Sequence, residues 1–134
     1  MTLRLLVVDD GEVITSTLKT LAVAEPPVVD RVSLASGALL LLQASHQNGN
    51  YYDFVFVDYY LFPARGTAII KEIRKMETEK KLPRSYIVGC IPAFAEGIAE
   101  KMSRAGANII LPTPFEYRDL MACLTLNRIV QKAS

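Results

Sequence analysis

Apolar runs of strand length alternate with stretches of helical periodicity five times along the chain. Leu3 to Val8 predicts a first strand, and Glu12 to Ala24 a helix with Ile14, Leu18, Leu21 and Ala22 on one stripe, ended by Pro26 and Pro27. Val28 to Leu34 alternates imperfectly around Asp30 and Arg31, so it predicts a strand near a sheet edge. Ser36 is placed to cap a helix running to about Gln47, with Leu39 to Leu42 as its apolar body and Asn48, Gly49 and Asn50 closing it. Phe54 to Val57 is continuously apolar, as a strand covered on both faces should be. After a loop from Tyr59 to Gly66, a helix carries Ile69, Ile70, Ile73 and Met76 inward. Tyr86 to Ile91 and Asn108 to Leu111 predict the last two strands, separated by a helix over Glu96 to Arg104 with Ile98 and Met102 inward. Pro112, Thr113 and Pro114 read as a rigid connection to a final helix, Glu116 to Val130, whose inward residues are Leu120, Met121 and Leu124.

Strict alternation with short connections predicts an α/β fold, a doubly wound parallel sheet with helices on both faces. The natural five-stranded arrangement is flavodoxin-like, (βα)5 with strand order 2-1-3-4-5. In such sheets ligands bind beyond the carboxyl ends of the strands, where Asp9 and Asp10 end the first strand and Asp58 ends the third. Helix capping explains one aspartate there, not three aimed at one edge. Carboxylates at close range repel by up to about 4 kcal/mol per pair at an effective dielectric near 20. A divalent, oxygen-seeking cation is therefore favoured among Asp9, Asp10 and Asp58.

Composition narrows the class further. The 134 residues are read as one domain, residues 1–134, long enough to bury a core without staples. No apolar run reaches the roughly 18 residues a membrane span needs, and the amino terminus lacks the pattern of a secretory signal. Cys90 and Cys123 read as buried thiols rather than a disulfide or metal pair, which points to the cytoplasm. The formal net charge is +1, and the most basic segment, Lys71 to Arg84, interleaves Glu72, Glu77 and Glu79 as a solvated helix face would, so direct nucleic-acid binding is not expected. His46, the single histidine, reads as a solvated helix-end residue.

Asp9 and Asp10 after the first strand, Asp58 ending the third, Gly66 beyond it, Gly106 and Ala107 before the fifth, and Pro114 and Phe115 after it together resemble the receiver domain of two-component response regulators, over essentially the whole length. The resemblance implies a signalling domain rather than an enzyme. Asp58 would accept a phosphoryl group from a sensor histidine kinase or phosphotransfer protein. Asp9, Asp10, Asp58 and the backbone carbonyl of Tyr60 would hold Mg²⁺. The family also commonly forms homodimers through its last helices. The chain reads either as a complete single-domain protein or as the amino-terminal piece of a longer regulator.

Four positions depart from the family pattern. Its Ser or Thr at the end of strand four aligns with Ile91, and the small residue after it with Pro92, which has no N–H. Its Lys before the proline after strand five aligns with Thr113, and its aromatic switch residue with Ile110. The proline usual four residues beyond the acceptor is displaced to Pro63, and Tyr59, Tyr60 and Phe62 read as loop packing and a lid over the core, or else as a partner-binding patch. Two functions follow: a phosphoryl-accepting receiver that relays its state to a partner, or a pseudo-receiver acting as a phosphorylation-independent interaction module. An FMN carrier is disfavoured, since no Ser/Thr/Gly-rich phosphate loop follows the first strand.

Overall fold

The computed structural model describes residues 2–19, 25–92, 95–116 and 118–122. Its elements run β1 (Arg4–Val8), α1 (Val13–Lys19), β2 (Val28–Val32), α2 (Ala35–Asn48), β3 (Phe54–Asp58), α3 (Gly66–Glu79), β4 (Ile87–Pro92), α4 (Glu96–Ala105) and β5 (Ile109–Thr113). Residues 118–122 are again helical. Leu21, Ala22, Cys123, Leu124 and Val130, all used in the sequence reading, lie outside the described residues.

Period-two alternation sorts each strand between two cores. Leu5, Val7, Phe54, Phe56, Val88 and Cys90 pack with Ile14 and Leu18 of α1 and with Leu120. Leu6, Val8, Val55, Val57, Ile87 and Ile91 pack on the other face with Leu42 of α2, Ile69, Ile70 and Ile73 of α3, and Met102 of α4. All strand pairs are parallel, and the order is β2-β1-β3-β4-β5, as expected. From β1 the chain steps one way to β2, then returns past β1 to β3 and continues to β5. Right-handed crossovers therefore set α1 on one face and α2, α3 and α4 on the other. The reversal leaves a crevice between the carboxyl ends of β1 and β3.

Several local expectations are corrected. Ser36 does not cap α2: Leu34 holds that position without a side-chain hydrogen bond. Gly49 closes the helix as expected, with φ +71°. Pro112 and Thr113 are not a connection but part of β5, where Pro92 pairs with Thr113. An edge strand tolerates the missing proline N–H. His46 is half-buried against the Tyr51 ring, at 5.0 Å between centroids, not fully solvated.

The largest departure lies in α3, where Arg74 and Glu77 are buried rather than part of a solvated face. Arg74 donates to Gly106 O from Nε and Nη2 at 3.0 and 2.8 Å, to Asn108 Oδ1 at 2.8 Å, to Ser85 O at 2.9 Å and to Glu77 Oε1 at 2.8 Å. Glu77 Oε2 accepts the Ser85 N–H at 2.6 Å, and Asn108 Oδ1 accepts the Ile87 N–H at 2.8 Å. One guanidinium thus joins α3 to the starts of β4 and β5. Gly106 suits this junction doubly, because its φ is +124° and a Cβ there would stand 2.8 Å from Arg74 Cγ. Removing one partner of a buried ion pair strands the other, typically at a cost of about 3–5 kcal/mol. Arg74→Ala is therefore expected to lower unfolding stability by about that amount, read by urea denaturation. Lys75→Ala, which removes the exposed 3.9 Å pair with Glu79, should change it by less than about 1 kcal/mol.

Candidate functional site

Val8 pairs with Val57, so the next residues of β1 and β3 leave the sheet side by side. The site grows from that register. Asp9 is buried, Asp58 half-buried and Asp10 exposed, and one carboxylate oxygen from each lies within 4.8 Å of the others. They open onto a cleft of about 440 Å³ also lined by Gly11, Val13, Ile14, Thr113 and Pro114.

Backbone contacts hold Asp9 and Asp58. The Asp9 N–H donates to Val32 O at 2.9 Å, and Asp9 Oδ1 accepts the Gly11 N–H at 3.2 Å. Arg31 Nη1 donates to the carbonyls of Asp9 and Gly11 at 3.3 and 3.2 Å, bracing the loop after β1 from β2. Asp58 Oδ1 accepts the Tyr60 N–H at 3.3 Å, whereas the Tyr59 N–H is given to Cys90 O at 2.9 Å. Of these two loop amides, only that of Tyr60 faces the carboxylate. The loop closes when Tyr59 O accepts the Gly66 N–H at 2.9 Å. Gly66 is required there: a Cβ would collide with Asp58 O and stand 3.0 Å from Tyr59 Cα.

Burial, then the hydrogen bond and charge of Asp9, push Asp58 up to about 7, with Asp10 adding to the rise and the Tyr60 N–H opposing it. The repulsion expected among the three carboxylates is thus expressed in the fold. Opposite ligands of an octahedral Mg²⁺ stand about 4.2 Å apart, so oxygens already within 4.8 Å fit a hard, oxygen-ligated cation with little movement. The donor set is all oxygen, as Mg²⁺ prefers.

The four departing positions do not all meet the site. Thr113 reaches the cleft, but its hydroxyl donates to Ile91 O at 3.1 Å. Ile91 is buried in the α3 core, Pro92 is half-buried, and Ile110 lies over Gly89, whose Cβ would come 3.0 Å from Ile110 Cδ1. Of the three loop aromatics, Tyr59 packs partly buried against the core, whereas Tyr60 and Phe62 do not cover it. Leu61 is the residue that plugs the core, while Tyr60 is 48% and Phe62 83% exposed. The Tyr59 and Tyr60 rings meet edge to face at 4.9 Å, and the Arg65 guanidinium lies over both, 5.8 and 5.1 Å from their centroids. Sequence reasoning missed the roles of Arg31, within β2, and of Arg65, just before α3, because an isolated arginine carries no spacing signal.

No protein-family model and no curated protein matches the sequence. Solved structures do. A two-component response regulator with a GGDEF domain superposes with a TM-score of 0.77 and 24% identity over 98% of this chain, which spans about half (51%) of that protein. A chemotaxis response regulator of Vibrio cholerae gives 0.74 and 19%, covering 95% of this chain and 99% of that one. The fold is that of a receiver domain. The receiver domain of a Pseudomonas aeruginosa sensor histidine kinase, with a magnesium ion coordinated in its active-site cleft, gives 0.72 and 24%, covering 94% of this chain and 97% of that one. Among the described residues, no helix of this receiver fold is long and apolar enough to cross a membrane.

Because the Asp58 pKa is raised from 3.8 to about 7, the protonated carboxyl favours the native state. That contribution is complete below pH 3.8 and is lost as pH rises through 7. In EDTA, the wild-type thermal midpoint is expected to fall across this interval relative to that of Asp58→Asn. Added Mg²⁺ competes with the proton, so it should raise the wild-type midpoint more above pH 7 than near pH 5, as scanning calorimetry would show.

Proposed function

We propose that this chain is a signalling receiver that accepts a phosphoryl group on Asp58 from a sensor histidine kinase or phosphotransfer protein. The observation that carries the reading is the convergence of Asp9, Asp10 and Asp58 within 4.8 Å at the sheet's reversal point. Asp9, Asp10, Asp58 and the Tyr60 carbonyl would hold Mg²⁺, which when bound offsets the negative charge brought by phosphoryl oxygens. The magnesium in the Pseudomonas receiver domain supports that choice of ion.

An Asp58 carboxylate oxygen forms the new bond to phosphorus as the donor's bond to phosphorus breaks. The electron pair leaves with the donor, and the three remaining phosphoryl oxygens stay on phosphorus. The Tyr60 N–H orients the nucleophile through Asp58 Oδ1. Gly66 lets the start of α3 press against Asp58. Thr113 contributes little charge stabilisation, being neutral and already donating to Ile91 O.

That engagement, with Ile91 and Pro92 lacking side-chain donors, also favours the second reading, a pseudo-receiver that binds partners without phosphorylation. Incubation with Mg²⁺ and acetyl phosphate separates the two. On the first reading, intact mass spectrometry gives a single phosphoryl adduct on wild type and none on Asp58→Asn. Absence of the adduct under conditions where Mg²⁺ binding is measurable rejects phosphoacceptance and leaves the interaction module.

A further inference from the structure

We propose that Arg65 is the cation that contacts a phosphoryl group on Asp58, a role that Thr113 cannot fill. The inference rests on the phosphoacceptor reading and deepens it. Among the described residues, no Lys or Arg lines the cleft around Asp9, Asp10 and Asp58. Bringing a dianionic group there without a nearby cation leaves its outer oxygens dependent on the metal and one amide.

Two arginines stand close enough to consider. Arg31 is committed: its guanidinium holds the carbonyls of Asp9 and Gly11 and faces Glu12 at 4.0 Å, so moving it would release the loop that positions Asp9. Arg65 is held differently. No ion pair engages it among the described residues, and its exposed guanidinium rests on the rings of Tyr59, half-buried, and Tyr60, exposed. An exposed cation–π contact is worth only about 0.5–1 kcal/mol. It is a weak parking place.

Reach is set by Gly66. Its Cα abuts the Asp58 carbonyl, and Arg65 is the next residue, one Cα step of about 3.8 Å away. Five bonds of about 1.5 Å separate an arginine Cα from Cζ, so an extended side chain carries its guanidinium about 6 Å from Cα, the reach that the proposed contact calls on. Arg65 also precedes α3 with extended backbone, φ −70° and ψ 157°, leaving its side chain outside the helix. A guanidinium presents a planar fork matched to two phosphoryl oxygens, which suits it better than a lysine at a site approached from the side.

The test uses beryllofluoride (BeF₃⁻) as the phosphoryl mimic, with Mg²⁺ present. Wild type, Arg65→Ala, Arg65→Lys and, as a distant control, Arg84→Ala are compared by calorimetry and tyrosine emission, for which the chain has six Tyr and no Trp. The expected result is that Arg65→Ala weakens beryllofluoride binding about 10- to 100-fold, the range of one charged hydrogen bond. Mg²⁺ affinity in its absence should stay unchanged, with Arg65→Lys recovering part of the loss and Arg84→Ala matching wild type. Wild-type emission should change on beryllofluoride addition as the guanidinium leaves Tyr59 and Tyr60, a change missing in Arg65→Ala. Wild-type affinity in Arg65→Ala, or an equal loss of Mg²⁺ affinity, overturns the role of Arg65 and leaves the acceptor reading intact. Failure of wild type itself to bind beryllofluoride while binding Mg²⁺ overturns both.

Discussion

The register between β1 and β3 is the constraint on which the site depends. Val8 opposite Val57 sends two chain segments off the sheet edge together, and both carry carboxylates. A slip of one residue would exchange the faces of Leu5 and Leu6, or of Phe54 and Val55, and move apolar side chains into the wrong core. Packing of the strands therefore enforces the crowding of Asp9, Asp10 and Asp58, although that crowding is unfavourable in itself. Local repulsion persists because the surrounding core overdetermines the geometry.

Helix α3 connects this site to the rest of the sheet. At its amino end, Gly66 presses on the backbone of Asp58; near its other end, Arg74 and Glu77 bind the segments that lead into β4 and β5. Buried charges of this kind are weak contributors to net stability against an apolar alternative, yet they tolerate few wrong arrangements. The helix is thereby fixed in position at one end, while its preceding loop buries Leu61 in the core and turns Tyr60 and Phe62 outward.

Much of this architecture is legible in the residues. The strands announce themselves because parallel strands covered on both faces are continuously apolar, as Phe54 to Val57 are, and the aspartates follow them directly. Arg74 and Glu77 are opaque because their spacing is also that of a solvated helical ion pair. Only the fold shows that Gly106, Asn108 and Ser85 come to meet them. Ser36 misleads for a related reason: a residue suited to capping is only a candidate until the helix start is fixed, and Leu34 occupies that position. Leu61 and Phe62 show the same limit, since both are apolar and only the loop's path decides which is buried.

On the proposed reading, the energetics of response limit what phosphorylation of this fold can change. Shifting a two-state equilibrium from 1:99 to 99:1 takes about 5.5 kcal/mol of differential interaction, and a hydrogen bond to a charged group contributes about 1.5–3 kcal/mol. One amide at Tyr60 falls short of that by itself, and Ile91, Pro92 and the engaged hydroxyl of Thr113 add no free side-chain donor on the β4 and β5 side. Differential interaction has to come from where movable polar groups exist, which is the loop between β3 and α3. On the proposed reading, phosphorylation thus acts on the presentation of Tyr59, Tyr60 and Phe62 beside the acceptor. A relay across the sheet to Ile110 would lack both the donor that starts it and the aromatic side chain that reports it.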